Sequence, residues 1–158
     1  VASLFSRILR LFGTGSRRTR DVRLRPSRAY PGDYTGKVPV RYSPQADGRP
    51  DPGEIVWTWV PYEEDHGQGK DRPVLLVGED GPWLLALMLT SKDRNNGRHH
   101  DVGYVDVGTG PWDREGRPSE VKVNRVVRVD PGSIRREGAV LDRARFSQVA
   151  EGLRRAGH

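Results

Sequence analysis

Two apolar runs constrain this chain more than anything else in it. Residues 73–77 (PVLLV) and 83–90 (WLLALMLT) read as strands apolar on both faces, and Glu79-Asp80-Gly81 between them supplies hairpin turn chemistry. Upstream, Ile55, Trp57 and Trp59 alternate with Glu54, Val56 and Thr58, which predicts a first strand with at least one buried face, ended by Pro61. Residues 62–71 and 91–101 are polar and read as loops. A short strand over 103–107, a second long loop over 108–119, a strand pair within 121–129 and a turn at Pro131 follow. The last element has Asp142 as N-cap and sets Phe146, Val149, Ala150 and Leu153 on one face, the pattern of an amphipathic helix. Several short strands closed by helices predict a mainly β chain, a small barrel with peripheral helices and a C-terminal helix.

The first 52 residues do not share this pattern. In residues 1–12 (VASLFSRILRLF), Leu4, Phe5, Ile8, Leu9, Leu11 and Phe12 make an apolar face with Arg7 and Arg10 between them, which predicts one short amphipathic helix. It is shorter than the ~20 residues a membrane span needs and lacks the leading charge and cleavage site of a secretory signal. Such a helix either lies on an anionic membrane surface or docks on its own domain or a partner. Residues 13–52 carry Arg17, Arg18, Arg20, Arg23, Arg25 and Arg28 among many Pro and Gly, with few apolar residues to offset the ordering entropy. They read as a mobile basic arm, either solvated or holding RNA. The expected division is an arm over 1–52 and a barrel domain over 53–158.

Charge follows the same boundary. Of a net +6, residues 1–52 hold 11 Lys/Arg against 4 Asp/Glu, whereas residues 53–158 hold 16 against 17. Any nucleic-acid contact by the domain must therefore come from a local cluster, because the domain as a whole exerts almost no electrostatic pull. There are no cysteines, which excludes disulfides, thiolate metal sites and a cysteine nucleophile, and is compatible with a cytoplasmic location.

The pattern G-E-I-V-W from Gly53, a polar loop leading into R-P-V-L-L-V from Arg72, and an apolar strand closing in Thr90-Ser91 resembles the PemK/MazF toxins of type II toxin-antitoxin systems. The later SEVKVNRVVRVDP and the helix over 141–155 resemble that family's final strand and C-terminal helix. The resemblance covers about residues 53–156. It implies an SH3-like, PemK-type barrel, usually dimeric, that cuts single-stranded RNA without metal or cofactor and is silenced by a cognate antitoxin. It also implies that Arg72 and Thr90 are catalytic, and His66 with them. Gly67 stands where many members carry Glu, and Lys122 and Asn124 correspond to a later Arg and Asp.

Those residue types suit the chemistry. When a ribose 2′-OH attacks the adjacent phosphate, the reaction needs a proton acceptor, a proton donor and a cation at the crowded phosphorus. Arg72 supplies permanent charge and two parallel hydrogen bonds, and an imidazole at His66 is the side chain suited to proton transfer near neutrality. The Thr90 hydroxyl orients phosphate. With Asn124 unable to act as a base, that duty falls on His66 or on Glu63, Glu64 or Asp65. The plainer alternatives are an exposed ion pair for Arg72, a solvated loop residue for His66 and a strand-end cap for Thr90.

Further RNA contacts are expected from Ser91, Lys92, Arg94, Lys122 and Asn124, with Arg98, Arg114 and Arg117 in the long loops. Trp112 either stacks a base or plugs its own loop onto the barrel. Adjacent His99 and His100 point apart in an extended segment and make no metal site. Against the ribonuclease stands one rival, a non-catalytic module of the same fold that engages a protein partner, or an anionic surface through its arm.

Overall fold

The computed structural model describes residues 28–45, 47–91, 103–135 and 139–158. The helix expected over residues 1–12, the arginines before Arg28, and Lys92, Arg94, Arg98, His99 and His100 lie outside them. Six strands form one antiparallel sheet: β1 (Ile55–Pro61), β2 (Gly69–Asp80), β3 (Trp83–Ser91), β4 (Tyr104–Gly108), β5 (Ser119–Lys122) and β6 (Val127–Val129). A 3-10 turn at Pro131–Ser133 and the helix α1 (Arg143–Arg155) complete it, with the Asp142 carboxylate accepting from the Arg145 N–H as the expected N-cap. The order is β1-β2-β3-β5-β4, and β6 also pairs with β3.

Two features of β2 come from glycine. The hairpin turn is Gly81-Pro82, between the paired Asp80 and Trp83. Gly81 has φ +59° and Pro82 is held near −65° by its ring, the signature of a type II′ turn. Four residues earlier in β2 the register slips between Leu76 and Gly78, leaving Val77 as a bulge. A Cβ on Gly78 would stand 2.8 Å from the Pro39 carbonyl oxygen, so glycine lets the N-terminal segment close on the strand, where the Arg41 N–H donates to Val77 at 3.0 Å. β2 also starts at Gly69 rather than Pro73, because the polar residues before Pro73 still pair with β1, from Pro61↔Gly69 to Thr58↔Arg72.

The double-sided apolarity of β2 and β3 has its reason in two cores. One face carries Ile55, Leu75, Leu85, Leu87 and Val121 under Phe146, Val149 and Leu153 of α1. The other carries Val56, Val60, Val74, Leu76, Ala86, Val127 and Val129. β1 and β6, at the two ends of the row β1-β2-β3-β6, touch across this second face, so the row is rolled around it without hydrogen-bonded closure. The mainly β fold with a C-terminal helix is thus as the sequence predicts, in the form of an open roll.

The described part of the N-terminal segment is packed on this body. Val38 is buried in the first core, Tyr34 bridges to Val126, and the Tyr42 hydroxyl donates to the Leu141 carbonyl at 2.7 Å. The composition of residues 28–52 suggests a mobile arm, but a few well-spaced apolar and aromatic residues anchor it. Among the described residues no helix is long and apolar enough to cross a membrane.

Candidate active site

β2 and β3 separate before their ends, and the place where they part makes a cleft. β2 pairs with β3 from Asp80↔Trp83 to Val74↔Met88 and then stays with β1, while the end of β3 pairs with β5, Leu89↔Val121 to Ser91↔Ser119. Pro73 stands where β2 leaves β3, and it has no N–H to give to a ladder. The opening, about 500 Å³, is lined by Arg72, Pro73, Thr90 and Ser91 from the parting strands and by Trp57, Trp112 and Arg135. The sequence-expected Arg72, Thr90 and Ser91 therefore meet in one place.

Strand alternation turns Thr90 to the face opposite the Leu89 core position, where its partner directly across the ladder is Glu120. Arg72 shares the face of Val74 and Leu76, which is the same face. Glu120 is buried and is itself paired across the sheet with Asp106. Sequence reasoning passed over Glu120. The signal that could have found it was the register of residues 119–121 against 89–91, which apolar patterning does not supply.

Of the remaining carboxylates, Asp71 pairs with Arg135, and Asp113 accepts from Arg117 at 3.0 Å. Of the loop acids expected as alternative bases, Asp65 accepts from the Gly67 N–H at 2.9 Å and Glu63 from Lys122 at 3.4 Å. Lys122 lies one row beyond Glu120 on the same face, opposite Tyr104 of β4.

His66 does not line the cleft. It belongs to a second cluster built on Arg125, whose side chain is only 4% exposed. Arg125 donates to the Pro61 carbonyl at 2.8 Å, approaches the Met88 sulfur at 3.8 Å and makes two hydrogen bonds to Asp33, at 2.8 and 3.2 Å. Met88 stands one row inward from Thr90 on β3, which ties this cluster to the cleft. The Tyr30 hydroxyl donates to Asp33, the His66 Nε2 lies 3.8 Å from the same carboxylate, and the Tyr30 and His66 rings meet edge-on at 5.0 Å. Burial works to raise the Asp33 carboxyl, but hydrogen bonds from Arg125 and Tyr30 outweigh it and hold the group below its ordinary pKa. Burial, with the bond to Asp33, pushes the Tyr30 hydroxyl well above the usual tyrosine range.

Trp112 lines the cleft but is 5% exposed; it donates from Nε1 to the Ser119 hydroxyl at 3.1 Å, accepts at its carbonyl from Trp57 and packs its ring beside Gly110, which makes it a plug of its own loop. Asn124 is exposed and lines a separate hollow of about 880 Å³ against α1. Among the described residues no group of three or more His, Asp or Glu side chains stands close enough to hold a metal ion.

A family model described as PemK-like, MazF-like toxin of type II toxin-antitoxin system matches residues 51–156. Among solved structures the chain is similar to one chain of a MazE–MazF complex from Deinococcus radiodurans, at 21% identity and TM-score 0.47, over 68% of this chain and 94% of that one. It is similar at 15% identity and TM-score 0.45 to toxin MazF-mt6 of Mycobacterium tuberculosis, over 65% of this chain and 94% of that one. A protein described as an endoribonuclease from a mycobacterial species matches at 14% identity and TM-score 0.45, over 71% and 94% respectively. No curated protein matches the chain.

Proposed function

The chain belongs to the PemK-like, MazF-like toxin family of type II toxin-antitoxin systems, and from that premise we propose that it is an endoribonuclease that cuts single-stranded RNA without a metal and is neutralised by a cognate antitoxin. The observation that carries this reading is the cleft where β2 leaves β3. It is open to solvent, and it brings a permanent cation, Arg72, together with a hydroxyl, Thr90, that stands across the ladder from a carboxylate, Glu120.

In this reading Arg72 holds the non-bridging phosphate oxygens and meets the charge that gathers on them as phosphorus becomes five-coordinate. Thr90 donates a hydrogen bond to the same phosphate. Glu120 takes the proton of the 2′-OH as its oxygen attacks phosphorus, and His66 gives a proton to the departing 5′-oxygen. In-line displacement places those two oxygens on opposite sides of phosphorus, so the reaction needs a base and an acid that are separate residues. The products are a 2′,3′-cyclic phosphate and a 5′-hydroxyl. Ser91 and Lys122 flank the track of the backbone, and a homodimer would present two such clefts.

The test is incubation of the purified protein with mixed single-stranded RNA in EDTA, with the product ends identified. Cleavage to cyclic phosphate that Arg72→Ala abolishes is the expected result. No cleavage by the wild type, or equal cleavage by Arg72→Ala, would overturn the proposal.

A further inference from the structure

The cluster of Tyr30, Asp33, His66 and Arg125 joins a segment that precedes the matched region to the β1–β2 loop that carries His66. Its charges are arranged with more care than neutralisation of a buried arginine requires. Arg125 alone would be satisfied by the two hydrogen bonds it donates to Asp33 and the one it donates to the Pro61 carbonyl. The same Asp33 oxygen that receives Arg125 Nη2 also receives the Tyr30 hydroxyl and faces His66 Nε2. The Tyr30 ring closes on the edge of the imidazole, and its hydroxyl is fixed in turn by accepting from the Arg128 N–H at 3.3 Å. Asp33 is held by Arg125, which itself donates to the Pro61 carbonyl and lies against the Met88 sulfur, and Tyr30 is held at its hydroxyl. His66 is 39% exposed on the side these groups leave open.

We infer that Asp33 is a positioning residue for His66, and that residues 30–33 are therefore part of the working site of this protein and not a tether outside it. With Nε2 turned toward Asp33, Nδ1 is the ring nitrogen left to meet RNA. Tyr30 sets the tilt of the ring. This assignment rests on the ribonuclease reading and deepens it: the loop itself offers Gly67 beside the histidine, and the carboxylate that disciplines the imidazole comes from 33 residues upstream of it in the chain.

The experiment is a mutant cycle on the full chain. Asp33→Asn, His66→Gln and the double variant are assayed on a single-stranded RNA in EDTA, with kcat and KM separated, alongside Tyr30→Phe, which leaves the Asp33–Arg125 pair in place. If Asp33 acts through His66, Asp33→Asn lowers kcat by about tenfold or more with little change in KM. That loss disappears when His66 is already Gln, Asp33→Glu recovers part of it, and Tyr30→Phe shows a smaller loss with the same dependence on His66. An equal loss from Asp33→Asn in the presence and absence of His66 overturns the inference and leaves Asp33 a purely structural partner of Arg125. Should the wild type cut no RNA, the ribonuclease reading fails on its own, and the nitrogen NMR signals of the His66 ring decide the positioning separately. A change in them on Tyr30→Phe upholds the contact, and signals identical to those of the wild type overturn it.

Discussion

The two carboxylate oxygens of Asp33 meet two nitrogens of Arg125, Oδ2 to Nε at 2.8 Å and Oδ1 to Nη2 at 3.2 Å, across 92 residues of sequence. A guanidinium so deeply buried has little water to fall back on, so the charge balance at the mouth of the roll depends on a segment that is not part of the sheet. That pairing makes residues 28–45 a structural member of the domain.

Removing the carboxylate has a definite cost. Asp33→Ala leaves Arg125 buried and unpaired, and unfolding in denaturant at neutral pH should show a loss of about 3–5 kcal/mol. The pH dependence has a fixed sign. Asp33 is held below its ordinary value in the fold, so its contribution is present above the unfolded pKa, ~3.9, and is lost as pH falls through the lower folded value. The gap between wild type and variant should stay constant from neutrality down to about pH 4 and narrow below it.

Arg72 should be required for turnover more than for folding. In the EDTA assay, Arg72→Ala should lower kcat/KM by roughly 10²–10³-fold, the scale of removing one donor to a developing oxyanion. Arg72→Lys should recover only part of this, because an ammonium supplies the charge without the fork of parallel hydrogen bonds.

Trp112 should behave as core. Trp112→Ala should cost about 3–5 kcal/mol in a melting or denaturant experiment. Its effect on RNA cleavage should track the fraction of folded protein. A loss of RNA affinity at full stability would contradict the burial of its ring.

Glu54 carries the opposite sign to Asp33. Burial, with the nearby Asp51 and Asp47 charges, holds its carboxyl above the ordinary value even though backbone N–H groups oppose the shift. Its favourable contribution is therefore present below the unfolded pKa and is lost as pH rises through the folded one. Glu54→Gln should raise the melting temperature at pH 7 and leave it nearly unchanged at pH 4, where the wild-type group is largely protonated.

The strands were readable because β2 and β3 are buried on both faces, and a chain apolar at every position leaves few alternatives. Arg72, Thr90 and Ser91 were readable through the motifs that end and begin those strands. Glu120 was not, because its position across from Thr90 depends on the register of β5 against β3, and a four-residue strand reading SEVK carries no apolar alternation to set it. Asp33 and Tyr30 were hidden for a different reason. Composition averages over residues 13–52 and reads arginine, proline and glycine, whereas anchoring is done by single residues such as Val38, Tyr34 and Tyr42 that the average dilutes. Trp112 was ambiguous because one aromatic residue in a loop fits a plug and a platform equally well. The Ser119 hydroxyl that fixes its indole lies seven residues away with no periodic relation to it.

The Arg72-Pro73 pair has a bearing on how this cleft could be lost. Proline denies the ladder a donor at the residue where the two strands separate, and arginine is the next side chain into the gap. A chain that kept the arginine but exchanged the proline for valine would retain all its charge, yet its backbone could go on zipping toward Ser91. Such a chain would forfeit the room for an anion before it forfeited any group that binds one.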